Sequence, residues 1–159
     1  MKKVRRMLEI ANVQPNELVY DLGCGDGRII VMAARKFGAR AVGIEIDLSR
    51  YLWCQFLITI LGLRKKVKVI YGDLFKKDYS DADVLFCYLL QSTNNRLEDK
   101  LLEELQPTTR VVSNTFMFHG LTLTNVDADL GILVYSLGDN ELSSKEKIDG
   151  ELDERNNNS

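Results

Sequence analysis

The stretch "LVYDLGCGDGRII" (residues 18–30) decides how the rest of the chain is read. A short apolar run, Leu18 to Leu22, is followed by glycines at 23, 25 and 27 and then by a helix-compatible segment from Arg28. A buried strand, a tight glycine turn and a helix start in that order make one half of a βαβ unit. Glycine suits such a turn because it needs positive φ and because a bound ligand leaves no room for a Cβ. The helix that follows offers free backbone N–H groups to a carboxylate or a phosphate.

Working outward, the same alternation repeats. Val4, Met7, Leu8 and Ala11 recur at helical spacing, so Lys2 to Ala11 is expected to be a helix, and Gln14-Pro15-Asn16 a turn. Arg28–Phe37 reads as a helix stopped by Gly38, "ARAVGIEI" (39–46) as a second strand, and Ser49–Leu61 as a helix capped by Ser49 and ended at Gly62. Strands are expected at "VKVIY" (67–71), "ADVLFCYL" (82–89) and "TRVVSNTF" (109–116). A helix starting at Thr93 or Asn94 lies between the last two, with Leu97, Leu101, Leu102 and Leu105 on its apolar face and Pro107 just past its end. "LTLTNVDA" and "GILVYSLG" form a hairpin. The expected fold is α/β: a doubly wound, Rossmann-like, mostly parallel seven-stranded sheet with helices on both faces. The C-terminal hairpin is antiparallel and adds one antiparallel strand at the sheet edge.

Composition sets bounds. The chain has 159 residues, 45% of them hydrophobic and 28% charged, and a net charge of −2, which argues against general nucleic-acid affinity. Residues 1–138 are expected to form one domain with a net charge of +2. Residues 139–159 carry seven acids and three bases and are expected to be a flexible acidic tail. Cys24, Cys54 and Cys87 stand apart in apolar surroundings, so they read as reduced thiols of a cytoplasmic protein, with no metal site. The basic start "MKKVRRMLEI" lacks a signal peptide's apolar stretch. The longest apolar run, "YLWCQFLITILGL" (51–63), is shorter than the ~20 residues a bilayer span requires.

In a doubly wound sheet, ligands sit beyond the carboxyl ends of the strands. The first four strands end at Asp21 and its glycines, at Glu45, at Gly72-Asp73 and near Tyr88. A dinucleotide turn reads G-x-G-x-x-G, whereas this one reads G-x-G-x-G with Asp21 and Asp26 about it. Those carboxylates repel a pyrophosphate and suit a ligand that carries an amino group. Glu45 can accept both hydroxyls of a ribose, and Asp73 an adenine amine. Amino-acid head group, ribose and adenine together describe S-adenosylmethionine.

The chain resembles the class I, seven-strand methyltransferases: "DLGCGDGR" looks like their first motif, "GIEID" their second and "YGDLF" their third. The resemblance implies that Asp21, Gly23 and Gly25, with Cys24, hold the methionine end of S-adenosylmethionine. It places Glu45 and Ile46 at the ribose and Asp73 and Leu74 at the adenine. A finer likeness, carried by "VRRMLEIANV", "SDADVLFCYLL" and "LEELQPTTRVVSNTF", is to small archaeal protein-lysine methyltransferases and to the mitochondrial enzymes that methylate the ATP-synthase c subunit. It implies transfer to a protein amino group, most naturally lysine.

At the end of the fourth strand, "CYLLQS" lacks the Asn/Asp-Pro-Pro-aromatic motif of enzymes that methylate planar nitrogens. Tyr88 is placed to wall an acceptor channel and backbone carbonyls there to orient the amine, and Gln91, Asn114 and Thr115 are further candidates for the catalytic site. His119, the single histidine, reads as a surface or packing residue. The run Tyr51–Leu63 is apolar nearly all round, so it is expected to meet a second copy of the chain, giving a homodimer, or a membrane-associated protein substrate. No nucleic-acid partner is expected. Other readings stay open: an RNA methyltransferase, a cofactor-binding partner protein without catalysis, and a nicotinamide oxidoreductase.

Overall fold

A computed structural model describes residues 1–137; the expected acidic tail lies outside them. In chain order the elements are α1 (Lys2–Ile10), β1 (Leu18–Leu22), α2 (Arg28–Lys36), β2 (Arg40–Glu45), α3 (Leu48–Ile60) and β3 (Val67–Tyr71). A 3-10 turn (Leu74–Lys76) follows, which the sequence reading did not anticipate, and then β4 (Val84–Cys87), α4 (Gln91–Glu104), β5 (Arg110–Asn114), β6 (Thr122–Asp127) and β7 (Ile132–Ser136). One seven-stranded sheet has the order β3-β2-β1-β4-β5-β7-β6. The pairs among β1 to β5 are parallel, and β7 is antiparallel to both its neighbours.

The antiparallel strand is therefore inside the sheet, and β6 forms the edge instead. Burial explains the choice. β7, "ILVYS", has three of its five residues buried, whereas β6, "TLTNVD", has none. The apolar strand takes the covered place, and Gly131, in a left-handed conformation at φ 62°, lets the chain turn back after β6.

Side-chain alternation builds two cores. Val19, Val84, Phe86, Val112 and Val134 pack with Met7 and Leu8 of α1, Ile30 of α2 and Ile58 of α3. Tyr20, Leu85, Val111 and Tyr135 face the other way, onto Leu97 and Leu101 of α4. Helices thus cover both faces, three on one and one on the other.

Two helix starts differ from expectation for local reasons. Asp47, not Ser49, caps α3: its Oδ1 accepts the Arg50 amide at 2.9 Å and the Ser49 hydroxyl at 2.5 Å. α4 begins at Gln91, ahead of Thr93, because the Leu90 carbonyl accepts the amides of Thr93 and Asn94. Asn94 is thereby turned inward, fully buried, and bonds Ser113 of β5.

Candidate active site

The carboxyl ends of β1 and β4 and the N-termini of α2 and α3 meet on the side of the sheet covered by three helices. β1 delivers Asp21, only 2% exposed, to the floor of a cleft of about 540 Å³. The chain then folds back on β2: the Gly23 and Cys24 amides both donate to the Ile44 carbonyl, at 2.9 and 3.0 Å. Gly23, Gly25 and Gly27 all take positive φ, and Gly27, at 79°, is the left-handed residue that launches α2. A side chain at Gly27 would also press on Cys54 Sγ, 3.0 Å from its Cβ position.

Glu45, buried at the end of β2, ties this loop down. One carboxylate oxygen accepts the Gly25 amide at 2.8 Å and the other accepts the Asp47 amide at 2.9 Å. A single side chain therefore fixes both the glycine loop and the entry to α3. Behind the loop Cys54 Sγ donates to the Gly25 carbonyl at 3.3 Å.

The charges in the cleft are unequal in kind. Asp26 is paired with Arg28, whose guanidinium holds its carboxyl below the usual range. Asp21 has no such partner among the described residues. Burial, reinforced by the nearby Asp26 and Glu45 carboxylates, pushes its carboxyl up to about 8. A cation brought to this position stabilises the buried acid as an anion. The α-ammonium of an amino acid, with its carboxylate toward the N-terminus of α2, supplies that charge, so the donor set fits an amino-acid-bearing ligand.

Of the residues expected at the site, Asp21, Gly23, Cys24, Gly25 and Tyr88 line this one cleft, with Asp26, Arg28, Ile29, Ser49, Arg50 and Trp53. Tyr88 is half exposed, and Lys3 of α1 holds its Nζ 5.7 Å from the ring centroid. Glu45 stands behind the loop. Ile46, 65% exposed, and Asp73 with Leu74 lie one and two strands further out. Asp73 Oδ1 accepts the Phe75 amide at 3.0 Å and so caps the 3-10 turn. Gln91 is engaged at both ends of its amide: Nε2 donates to the Met117 carbonyl at 2.8 Å, and Oε1 accepts the Met117 amide at 3.0 Å. His119 is exposed, its backbone amide bound to Glu98.

Sequence reasoning missed two supports. Gly43 in β2 makes room for the loop, since a Cβ there would fall 2.6 Å from Cys24 Sγ. Arg50 and Trp53 reach the cleft because α3's first turns are aimed at it. Only the helical interval from Ser49 to Trp53 hints at this in the sequence.

Residues 21–125 match the family described as the ANTKMT methyltransferase domain. The chain belongs to this family. The methyltransferase is 46% identical over 120 residues to a protein-lysine N-methyltransferase of Saccharolobus islandicus, covering 75% of this chain and 74% of that one. It is 28% identical over 128 residues to the human lysine N-methyltransferase of the ATP-synthase c subunit, with 80% of this chain but only 54% of the relative covered. Among solved structures, an RNA methyltransferase from Salinibacter ruber in complex with S-adenosyl-L-homocysteine superposes with a TM-score of 0.79 at 40% identity. The match covers 89% of this chain and 94% of that one. The methyltransferase thus spans nearly the whole of the Salinibacter protein and about half of the human relative.

Proposed function

We propose that this methyltransferase carries a methyl group from S-adenosylmethionine to the ε-amino group of a lysine in a protein substrate. The observation that carries the cofactor half is the buried Asp21, without an ion-pair partner among the described residues, beneath a loop of left-handed glycines. Asp21 takes the ammonium of the cofactor's methionine end, with Gly23, Cys24 and Gly25 packed against it. The outward lone pairs of the Glu45 carboxylate receive the ribose hydroxyls beside Ile46. The second oxygen of Asp73 receives the adenine amine beside Leu74. When bound, the cofactor supplies an electrophilic methyl group on a sulfonium.

The protein's part is to bring a neutral amine to that methyl group. Deprotonating lysine at pH 7.4 costs about 4 kcal/mol from its reference pKa of about 10.4. An apolar channel walled by Tyr88, with the Lys3 ammonium against the same ring, disfavours a second ammonium and lowers that cost. Gln91 acts at one remove, holding the Met117 turn that follows β5.

The protein acceptor is supported by the Saccharolobus islandicus relative and by α3. Leu48, Leu52, Phe56 and Ile60, spaced four residues apart, are 54–64% exposed and form one apolar stripe. Trp53 joins that stripe to the cleft. We assign the stripe to an apolar, membrane-associated segment of the substrate that presents its lysine to the cleft; a homodimer through residues 51–63 is the rival occupant. No helix among the described residues is long and apolar enough to cross a membrane. Three free cysteines support a reducing compartment such as the cytoplasm.

An RNA acceptor is the second reading, favoured by the Salinibacter ruber structure. Incubation with methyl-labelled S-adenosylmethionine and an archaeal lysate separates the two. Label on lysine, with mass shifts in multiples of one methyl group, supports the protein reading. Label confined to RNA overturns it.

A further inference from the structure

The last residue of β5 has no role in the site described so far. Asn114 is only 5% exposed, and its Oδ1 is fully buried without a hydrogen-bond partner among the described residues. Buried carbonyl oxygens are almost always paired, so one left open at a strand's carboxyl end requires a reason. Its position supplies one. β4 and β5 are parallel with Cys87 opposite Ser113, so Tyr88 and Asn114 leave the sheet side by side. Phe86 and Val112, two residues earlier on each strand, point to the face covered by α1, α2 and α3. Alternation sends Tyr88 and Asn114 to that same face, the one that carries the cleft.

The backbone around Asn114 is fixed from several sides. Its carbonyl accepts the Phe116 amide at 2.8 Å, and the next amide, Thr115, donates to Gly131 at 2.7 Å. Thr115 holds a left-handed φ of 68°, a strained conformation for a branched residue. From the opposite face, Asn94 Nδ2 donates to Ser113 Oγ at 3.2 Å and to the Phe116 carbonyl at 3.3 Å. A second buried oxygen, Asn94 Oδ1, is also unpaired, but it belongs to this clamp on the α4 side. Asn114 alone of the two lies next to Tyr88.

We propose that Asn114 is a catalytic residue whose Oδ1 accepts an N–H of the acceptor lysine. This rests on the protein-lysine reading above. A neutral amine has two N–H groups and one lone pair. Holding an N–H at Asn114 turns the lone pair away from that oxygen, toward the reacting methyl group. An uncharged amide does this without the penalty a carboxylate brings, because a carboxylate there stabilises the ammonium and keeps the amine protonated.

Asn114→Leu and Asn114→Asp test the assignment. Asn114→Leu is expected to lower kcat/KM for the protein substrate about 10- to 100-fold. Calorimetry is expected to show cofactor Kd within about twofold of the wild type, because no cofactor contact is lost. Its Tm should match or exceed the wild-type value, because an unpaired buried oxygen is removed. Asn114→Asp should shift the pH profile of kcat/KM to higher pH. Normal lysine methylation by Asn114→Leu overturns the role of Asn114 alone, as does an unshifted profile in Asn114→Asp or a cofactor Kd that weakens along with transfer. A wild-type protein that labels only RNA overturns the lysine reading beneath it.

Discussion

The Glu45 carboxylate accepts the Gly25 amide at 2.8 Å and the Asp47 amide at 2.9 Å, so one buried side chain couples the glycine loop to the N-terminus of α3. Both bonds are charge-assisted and partly buried. Glu45→Ala removes them together and leaves two partly buried amides without their acceptor. The variant should lose about 10- to 100-fold in S-adenosylmethionine affinity by calorimetry, with Tm lower by several degrees. Glu45→Gln keeps one acceptor oxygen and should fall between. Unchanged affinity in Glu45→Ala would show that the loop holds its shape without this anchor.

Gly43 is the second support of the same loop, and it acts through space rather than through a bond. An added Cβ would lie 2.6 Å from Cys24 Sγ, 2.9 Å from Cys24 Cβ and 3.1 Å from Ile30 Cδ1. Neither neighbour has room to retreat, because Cys24 is pinned to Ile44 through its amide and Ile30 is fully buried in α2. Gly43→Ala should cost about 1–3 kcal/mol in chemical denaturation, the usual penalty of overpacking. Cys24→Ala, which removes the nearest atom but keeps the Cβ, should restore part of that loss, and an additive double mutant would disprove the contact.

Most of the fold was legible in local pattern. β1 and β3 fall at the expected residues, since apolar runs bounded by turn residues leave little choice. Asp21, Glu45 and Asp73 could be singled out because each stands at or just past a strand's carboxyl end, and of the three only Asp21 lines the cleft. Non-local features were not legible. The place of β7 inside the sheet depends on which of two strands has the more apolar surface to bury. The engagement of Gln91 with Met117 spans 26 residues of chain. Gly43 looked like an ordinary small residue in a strand, because what it accommodates comes from another loop.

The α3 stripe predicts a separation of function from stability. Leu52, Phe56 and Ile60 are 56%, 56% and 64% exposed and contribute little to the core. Phe56→Ser combined with Ile60→Ser should leave Tm within about 2 °C of the wild type, as exposed sites usually do. KM for a protein substrate should rise while transfer to a short lysine peptide stays constant. Light scattering distinguishes the rival occupant: a wild-type dimer that these changes convert to monomer assigns the stripe to self-association instead.

Asp21 makes the last prediction, in which stability and binding move in opposite directions. Its carboxyl titrates near 8 in the folded protein, raised by burial and by the Asp26 and Glu45 charges, against 3.8 for the unperturbed group. Between those two values the folded state binds more protons than the unfolded state, so Asp21 lowers stability steadily as pH rises from about 4 to 8. Asp21→Asn abolishes that slope. The variant should be more stable than the wild type at pH 8, with Tm about 2–4 °C higher for each kcal/mol recovered, and the gain should vanish near pH 4. The same variant loses the anion that meets the cofactor's ammonium and should bind S-adenosylmethionine about 10- to 100-fold more weakly. In the wild type at pH 7, binding draws Asp21 into its ionised form, and up to one proton leaves for the buffer. Calorimetry in buffers of different ionisation enthalpy reads that proton directly. Its release should fade above pH 8 and be absent from Asp21→Asn; equal release by both proteins would place the titrating group elsewhere.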